Sequence, residues 1–261
     1  ARRTLNPGRI MNPWMRNTVI VSSWIIGFAG LGLGLWVGSQ PRGSKVVTGH
    51  TVRIHQPKDQ ALLVVADLTP EFRAVGAPWT GASTKEINIP LLEEKLRAHD
   101  FVEKAEVFST WDGTVRSIVK QKTAKARIVS GLQSVYADAQ GGVFPLSKHD
   151  SPRLPLVSGA HTSREIRQAL QLLDRAAQHS AFPGGWYALD LDDQTGFTAY
   201  PEWHSHRIVW GQASNFADKA HRTKALYAHA LQHQYLDQLD RIDVRFADQV
   251  VFTRTSSPSA Q

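Results

Sequence analysis

The sequence predicts an α+β protein in three parts: a single N-terminal transmembrane helix, a small β-α-α-β-β module, and a β-rich module whose open mixed sheet carries flanking helices. Three observations lead there. Residues 18–37, TVIVSSWIIGFAGLGLGLWV, run for twenty residues without a charge or a proline. Residues 52–121 read as a strand, two short helices and a hairpin closed by Asp112-Gly113, a dipeptide that supplies the positive φ angles of a tight turn. From residue 124 onward short strand-like segments and turns dominate, interrupted by two helical stretches. The expected divisions are a cytoplasmic tail at 1–17, the membrane helix at 18–38, a first module at 45–123, a β module at 124–255 and a frayed terminus at 256–261.

At about 1.5 Å per residue, twenty helical residues span about 30 Å, the hydrocarbon thickness of a bilayer. Ser22 and Ser23 can bond back to their own helix, and Trp14, Trp24 and Trp36 lie towards the interfaces that indole rings favour. A buried core helix of this length would show a polar face. A cleaved signal peptide is the nearer competitor, because the flank is basic and Val37-Gly38-Ser39 offers small residues. Its apolar core is normally only ~7–15 residues, so an uncleaved anchor is the better reading. Arg2, Arg3, Arg9 and Arg16 precede the span without an acid, while Arg42, Lys45 and Arg53 follow it. The positive-inside bias then puts the N-terminus in the cytoplasm and the bulk across the membrane. Gly30, Gly34 and Gly38 share one helix face, where small residues let a second helix approach closely.

The 261 residues carry a formal charge of +7, from 30 basic and 23 acidic side chains. Four of the basic residues sit in the tail, leaving 26 against 23, or +3, for the remainder. That balance is too mild for a nucleic-acid-binding face. There is no cysteine, which removes thiol nucleophiles, thiolate zinc sites and iron–sulfur clusters.

Along the chain, residues 40–51 form a linker, and 52–54 and 62–65 read as short strands. Residues 68–75 read as a short helix with Pro70 in its first turn, and 88–99 as a clearer one with Leu92 and Leu96 on one face. The hairpin strands are 104–110 and 114–121, the second with Val115, Ser117 and Val119 on one face. Residues 126–129 and 134–137 follow as short strands, and Gly141-Gly142 is a turn followed by Val143-Phe144-Pro145-Leu146. Thr162 and Glu165 have capping-box spacing and open a helix with Ile166, Ala169, Leu170 and Leu173 inward. Residues 186–191 and 197–200 form a second hairpin, and 207–210 another strand. Asn215 caps a helix to about Tyr235, with Phe216, Ala220, Tyr227 and Leu231 inward. Residues 241–253 close the fold as one strand.

Catalytic signals are weak. His229 and His233 stand at i and i+4, but Ala230 occupies the position where a metalloprotease carries its glutamate, so a solvated helix face is the default. His204 and His206 flank Ser205 in a strand-like stretch without an evident third ligand. Asp190, Asp192 and Asp193 lack the order of a calcium loop and suit a polar hairpin tip. No serine lies in Gly-x-Ser-x-Gly, and no glycine-rich phosphate loop is present. The residues therefore read as an anchored protein that is not an enzyme, needs no cofactor or metal, and acts by binding other proteins.

Several stretches carry a resemblance. The run INIPLLEEKLRAHDFVEKAEVFSTWDGTVRSIVKQKTAKARI resembles the core of the FtsQ/DivIB cell-division family. The version found in Bacteroidota-type bacteria adds Tyr-x-Asp-x-x-Gly, Pro-Leu-Ser and a Pro-hydrophobic-hydrophobic-x-Gly. These are here Tyr136, Asp138 and Gly141, then Pro145, Leu146 and Ser147, then Pro155, Leu156, Val157 and Gly159. RIVWGQ and RIDVRFADQVVF resemble the family's closing strands. The order and spacing of these motifs, over roughly 52–252, carry the match. Two departures stand out. Where the family has Gln-Arg-x-Pro, this chain has Gln121-Lys122-Thr123-Ala124, and the missing proline is expected to loosen the junction between modules. Ser117 stands where the family has an apolar residue.

The resemblance implies a bitopic scaffold of the divisome, at the inner membrane and enriched at the division site, with a POTRA module before the β module. It implies FtsB-like and FtsL-like bitopic partners and, through them, recruitment and regulation of the septal peptidoglycan synthase FtsW/FtsI. It also implies that a partner adds a strand to the β module's last strand. Arg245, Phe246, Ala247, Asp248, Gln249, Val250, Val251 and Phe252 are the expected contact residues. An edge strand without proline is a template for such pairing. Alternation leaves Phe246 open between core and contact, while Arg245 suits an ion pair with Asp243 or Asp248. Two competing readings stay open. A membrane-anchored periplasmic metal-dependent hydrolase would use the histidines. A POTRA-type chaperone would need several such modules or a membrane barrel of alternating strands.

Overall fold

A computed structural model describes residues 45–255. The expected tail, the membrane span 18–38 with Gly30, Gly34 and Gly38, and the terminus 256–261 lie outside the described residues. Among the described residues no helix is long and apolar enough to cross a membrane.

The first module contains β1 (Gly49–His55), a 3-10 turn (Val65–Leu68), α1 (Thr69–Ala74), α2 (Ile89–Ala98), β2 (Val102–Ser109) and β3 (Thr114–Gln121). Its sheet runs in the order β1-β3-β2, with β1 parallel and β2 antiparallel to β3. At the hairpin tip Asp112 Oδ1 accepts the Thr114 N–H at 3.1 Å and also the Thr110 hydroxyl, the local bonding that makes Asp a turn former. Asn88 starts α2 by accepting the Leu91 N–H at 3.1 Å, and Pro90 sits in the first turn. The buried faces of α2 and β3 meet through Leu92, Leu96, Val115 and Val119. Ser117 is buried among them, and its hydroxyl pairs with His50 Nε2 at 2.9 Å, so the polar replacement is satisfied rather than orphaned. The His50 ring in turn lies 4.6 Å from Phe72 and 5.1 Å from Trp79.

The strand expected at 62–65 does not form. Leu62 and Leu63 point into different cores, so the segment is clasped between the modules. Side chains take the place of a ladder. The Leu63 N–H donates to Gln121 Oε1 at 2.9 Å, the Leu62 carbonyl accepts the Ser147 hydroxyl at 2.7 Å, and the Ala61 N–H donates to Asp150 at 2.8 Å. The helix expected at 68–75 forms as α1, with Pro70 in its first turn, and the 3-10 turn leads into it from the end of the segment read as a strand.

The junction is tight, against expectation. Buried Gln60 donates from Nε2 to the Ala124 carbonyl and accepts the Ala124 N–H at Oε1, both at 2.9 Å. Gln121 Nε2 closes the set on the Gln60 carbonyl at 2.9 Å. A proline at 124 would have no N–H to offer, so the departure from the family pattern is what makes the two-point clamp possible. Leu62, Ala124, Tyr136 and Phe144 form a small buried cluster beside it, with Phe101 edge-on to Phe144 at 5.9 Å.

The β module follows with β4 (Ala126–Ser130), β5 (Gln133–Ala137), β6 (Val143–Phe144), β7 (Leu156–Ser158), α3 (Ser163–Gln178), β8 (Trp186–Asp192), β9 (Gly196–Pro201), β10 (Arg207–Gly211), α4 (Phe216–Gln232), β11 (Leu239–Asp243) and β12 (Val251–Arg254). They build one nine-stranded sheet in the order β12-β11-β10-β9-β8-β7-β4-β5-β6. The pairs β7–β8 and β10–β11 are parallel, which requires crossovers, and α3 and α4 supply them. Thr162 and Glu165 make the expected capping box at the start of α3. A rank of paired residues, Ile128, Val157, Leu189, Ala199, Ile208, Ile242 and Phe252, crosses seven strands and packs in the core with both helices. The adjacent rank on the other face includes Arg127, Leu156, Arg207, Arg241 and Thr253, the alternation of a sheet covered on one side only. Phe182, Trp186, Trp210 and Phe216 close the helix side, with Trp186 and Trp210 centred 5.0 Å apart. Gly159, at the end of β7, has φ of +73°, and a Cβ there would fall 1.8 Å from the Leu191 carbonyl oxygen. That contact accounts for the glycine of the Pro155-to-Gly159 motif.

Several expectations in this module change. Asn215 makes no side-chain cap and sits at φ of +55°, so α4 begins from a left-handed residue. The helix stops at Gln232 rather than near Tyr235, and Leu231 faces solvent, while Ala230 takes the inward position. His204 lies in a turn before β10 rather than in a strand.

Two outcomes are expected. Replacing Gln60 with Ala leaves both polar groups of buried Ala124 unpaired and should cost about 2–6 kcal/mol, at roughly 1–3 kcal/mol per orphaned group; urea denaturation reads this as a lowered midpoint. Buried His206, whose Nε2 meets the Tyr227 hydroxyl at 2.6 Å, is pushed from 6.5 to about 4, mainly by burial and further by His204. The unfolded chain then binds a proton that the folded chain refuses across that window, so the thermal midpoint should fall as pH drops from 6.5 to about 4. His206→Gln should fall less steeply over the same range.

Candidate functional site

The nine-stranded sheet has two edges, β6 with two residues and β12 with four. An edge strand leaves every second residue's N–H and C=O turned away from its single neighbour. Among the described residues β12 pairs only with β11, with Phe252 opposite Ile242 and Val251 opposite Asp243. Phe252 therefore faces the helix side, where it stacks on Tyr235 with ring centres 5.7 Å apart and planes 6° apart. The Arg254 guanidinium lies 3.8 Å from the Tyr235 centroid and covers the same stack. Val251 faces the open side and is 47% exposed.

The single closing strand expected over 241–253 is a hairpin. Its two arms are β11 and β12, and residues 244–250 form the connection. Of the expected contact residues, Val251 and Phe252 lie on the edge strand, whereas Arg245, Phe246, Ala247, Asp248, Gln249 and Val250 lie in the connection. The reason is the charge pattern at its start. Asp243 is only 5% exposed, so its carboxylate needs local partners. Arg245 folds back onto it, with Nη2 at 2.7 Å and Nε at 2.9 Å, and Arg241 adds a contact at 3.1 Å. Burial would raise the Asp243 carboxyl, but the Arg245 hydrogen bonds outweigh it and hold the group below its ordinary value. That fork turns the chain out of the strand. Gly211 makes room for it, since a Cβ there would stand 2.8 Å from Arg245 Cγ.

Arg222, on α4, holds the connection from the other side. Its guanidinium donates to the carbonyls of Phe246 and Gln249, the latter at 3.0 Å, and is itself oriented by Asp218 at 2.9 Å. Val244 is buried beneath, its N–H donating to the Val209 carbonyl at 3.1 Å. Lys219, one turn earlier, is buried and donates to the carbonyls of Trp210 and Gln212, both at 2.8 Å. Burial lowers its pKa, so this cation is spent on the end of β10. The result is an ordered surface: Phe246 at 45% exposure and Val251 flank a 300 Å³ cavity also lined by Arg241, Gln249 and Thr253.

The histidine pairs separate. His206 is buried against Tyr227, and His204 pairs with Asp237 at 3.1 Å. His229 and His233 are exposed, with ring centres 4.3 Å apart. Asp192 accepts the Gln194 and Thr195 N–H groups, as a hairpin tip requires, while Asp190 accepts the Ser158 hydroxyl at 2.6 Å. Sequence reasoning passed over Arg222, Tyr235 and Arg254. For Arg222 the only local signal is the Asp218 four residues earlier.

The comparisons agree with this architecture. A signature described as POTRA-like domain matches residues 45–120, and one described as FtsQ/DivIB, C-terminal related, matches residues 123–253. The two flank the Gln121 clamp. The chain is also similar to the cell division protein FtsQ of Rhodothermus marinus, at 25% identity over 210 residues, covering 73% of this chain and 74% of that one. With a POTRA-like module followed by a β module that carries the FtsQ/DivIB signature over half the chain, this protein belongs to the FtsQ/DivIB family.

Proposed function

We propose that this protein is a non-catalytic scaffold of the cell-division machinery that captures a partner by strand addition at β12. The observation that carries the reading is the open, four-residue edge strand joined to a connection pinned by Arg222 and Asp243. In this reading the partner's backbone completes the ladder, and its alternate side chains meet Phe246 and Val251 on one face and the Phe252–Arg254 rim on the other. A connection already held in place loses little freedom on binding, which favours affinity without a large interface. The name of the Rhodothermus marinus relative supports a role in division.

The reading extends to the sequence outside the described residues. Residues 18–38 act as a single anchor in the cell inner membrane, with the N-terminus in the cytoplasm and the two modules in the periplasm at the division site. The partners are FtsB-like and FtsL-like bitopic proteins, and through them the scaffold helps recruit and regulate the septal synthase FtsW/FtsI. Gly30, Gly34 and Gly38 offer the anchor a close helix contact.

Co-purification of the full-length chain with an FtsB/FtsL-like pair tests the edge. Phe252→Pro should abolish capture, because proline cannot donate to a ladder; Val251→Arg, which leaves the Phe252–Tyr235 stack in place, should weaken it at least tenfold. Unchanged capture by both variants would move the interface off β12. Arg222→Ala should release the connection and weaken capture by about tenfold through lost preorganisation, with circular dichroism and the thermal midpoint of the sheet little changed. Full-strength capture by that variant would show that the pinned connection contributes nothing.

A further inference from the structure

We propose that His229 and His233 form a two-imidazole site for a divalent transition-metal ion of the nickel and copper class, coupled to the β12 edge through Tyr235. The inference does not depend on strand addition. The two residues stand one turn apart at the end of α4, both exposed, with ring centres 4.3 Å apart. With metal–nitrogen bonds of about 2.0–2.1 Å and ring centres about 1.1 Å further out, two imidazoles on one ion have centres roughly 4.5 Å apart at a right angle and about 5.2 Å apart at the tetrahedral angle. The observed spacing is close to the right-angle value, the one that tetragonal copper(II) and nickel(II) prefer.

A second observation separates this pair from an ordinary solvated helix face. His229 Nδ1 lies 2.6 Å from the Tyr235 hydroxyl. Tyr235 is 4% exposed and packed against both Phe252 and Arg254, so it is a fixed partner. With Nδ1–H donating to that oxygen, Nε2 keeps its lone pair and an enforced direction, the outer-shell arrangement found around metal-bound histidine. Among the described residues no group of three His, Cys, Asp or Glu gathers around a common point. The remaining positions on the ion are therefore left to water or to a donor from another molecule. Because Tyr235 stacks on Phe252, an ion held by His229 also restrains the inner face of the edge strand.

The test is titration of the full-length chain, free of any histidine tag, with copper(II) ions. Calorimetry reads the affinity, and electron paramagnetic resonance counts the coordinating nitrogens. The wild type should bind one ion with two imidazole nitrogens. His229→Ala and His233→Ala should each weaken binding at least tenfold and leave one nitrogen or none, with circular dichroism unchanged. Tyr235→Phe keeps the stack on Phe252 and removes only the hydroxyl; it should weaken binding by roughly tenfold, the lower end for loss of an outer-shell partner. Binding that survives either His variant at wild-type strength, a one-nitrogen spectrum in the wild type, or no copper-dependent signal would overturn the site.

Discussion

Every buried backbone N–H and C=O must find a partner, and where this protein's strands stop, long side chains provide it. The junction between modules shows the rule most clearly. Residues 60–64 and 121–124 run past each other with no ladder between them, and Gln60 and Gln121 supply the missing bonds. An amide side chain suits this work because it donates and accepts at once, so one glutamine can satisfy both groups of Ala124. Ser147 and Asp150 do the same from the β module, at the Leu62 carbonyl and the Ala61 N–H. The modules are thereby joined by satisfied polar groups around a small apolar cluster, which gives the junction a defined geometry as well as cohesion.

The same constraint shapes the far end of the sheet. The parallel crossover through α4 brings β11 beside β10 and leaves β12 outermost. Cations do the satisfying there. Lys219 takes the carbonyls at the end of β10, and Arg222 takes those of the connection. Both lie on α4, so the helix that buries Phe216, Ala220 and Tyr227 against the sheet also sets the shape of the edge next to it. An edge prepared in this way keeps its outward backbone groups available while the residues around them are held still. Two polar pairs, half-buried His50 with Ser117 and buried His206 with Tyr227, extend the pattern towards the cores, where Ser117 and Tyr227 each find a ring nitrogen for the hydroxyl.

Much of the fold was legible in local patterns. The Asp-Gly hairpin, the Asn88 start of α2 and the Thr162–Glu165 capping box depend on neighbours within a few residues, and each formed as expected. Misreadings arose where a segment's partner lies far away in sequence. Leu62–Val65 has the composition of a strand, but its bonds go to residues 58 and 85 positions distant. IDVRFADQVVF alternates like one strand, yet the buried Asp243 carboxylate draws Arg245 back and turns the chain into a hairpin. Asn215 has the identity of a cap, but its left-handed backbone makes no side-chain cap.

The candidate site divides along the same line. That the chain ends in a strand-rich segment carrying Phe246, Val251 and Phe252 follows from residue type and order alone. Which of these residues lies on the edge was decided by β11 pairing with both β10 and β12, a matter of register between distant segments. Arg222, Tyr235 and Arg254 came into view only in three dimensions, because a guanidinium reaching across to carbonyls 24 and 27 residues away, or a ring stacked on the edge strand, leaves no mark in the local sequence. Sequence by itself determined the apolar span, the two-module order and the elements held by short-range bonds. Tertiary structure decided the junction, the edge and the residues that hold them, because those rest on buried polar groups whose partners are chosen by the fold.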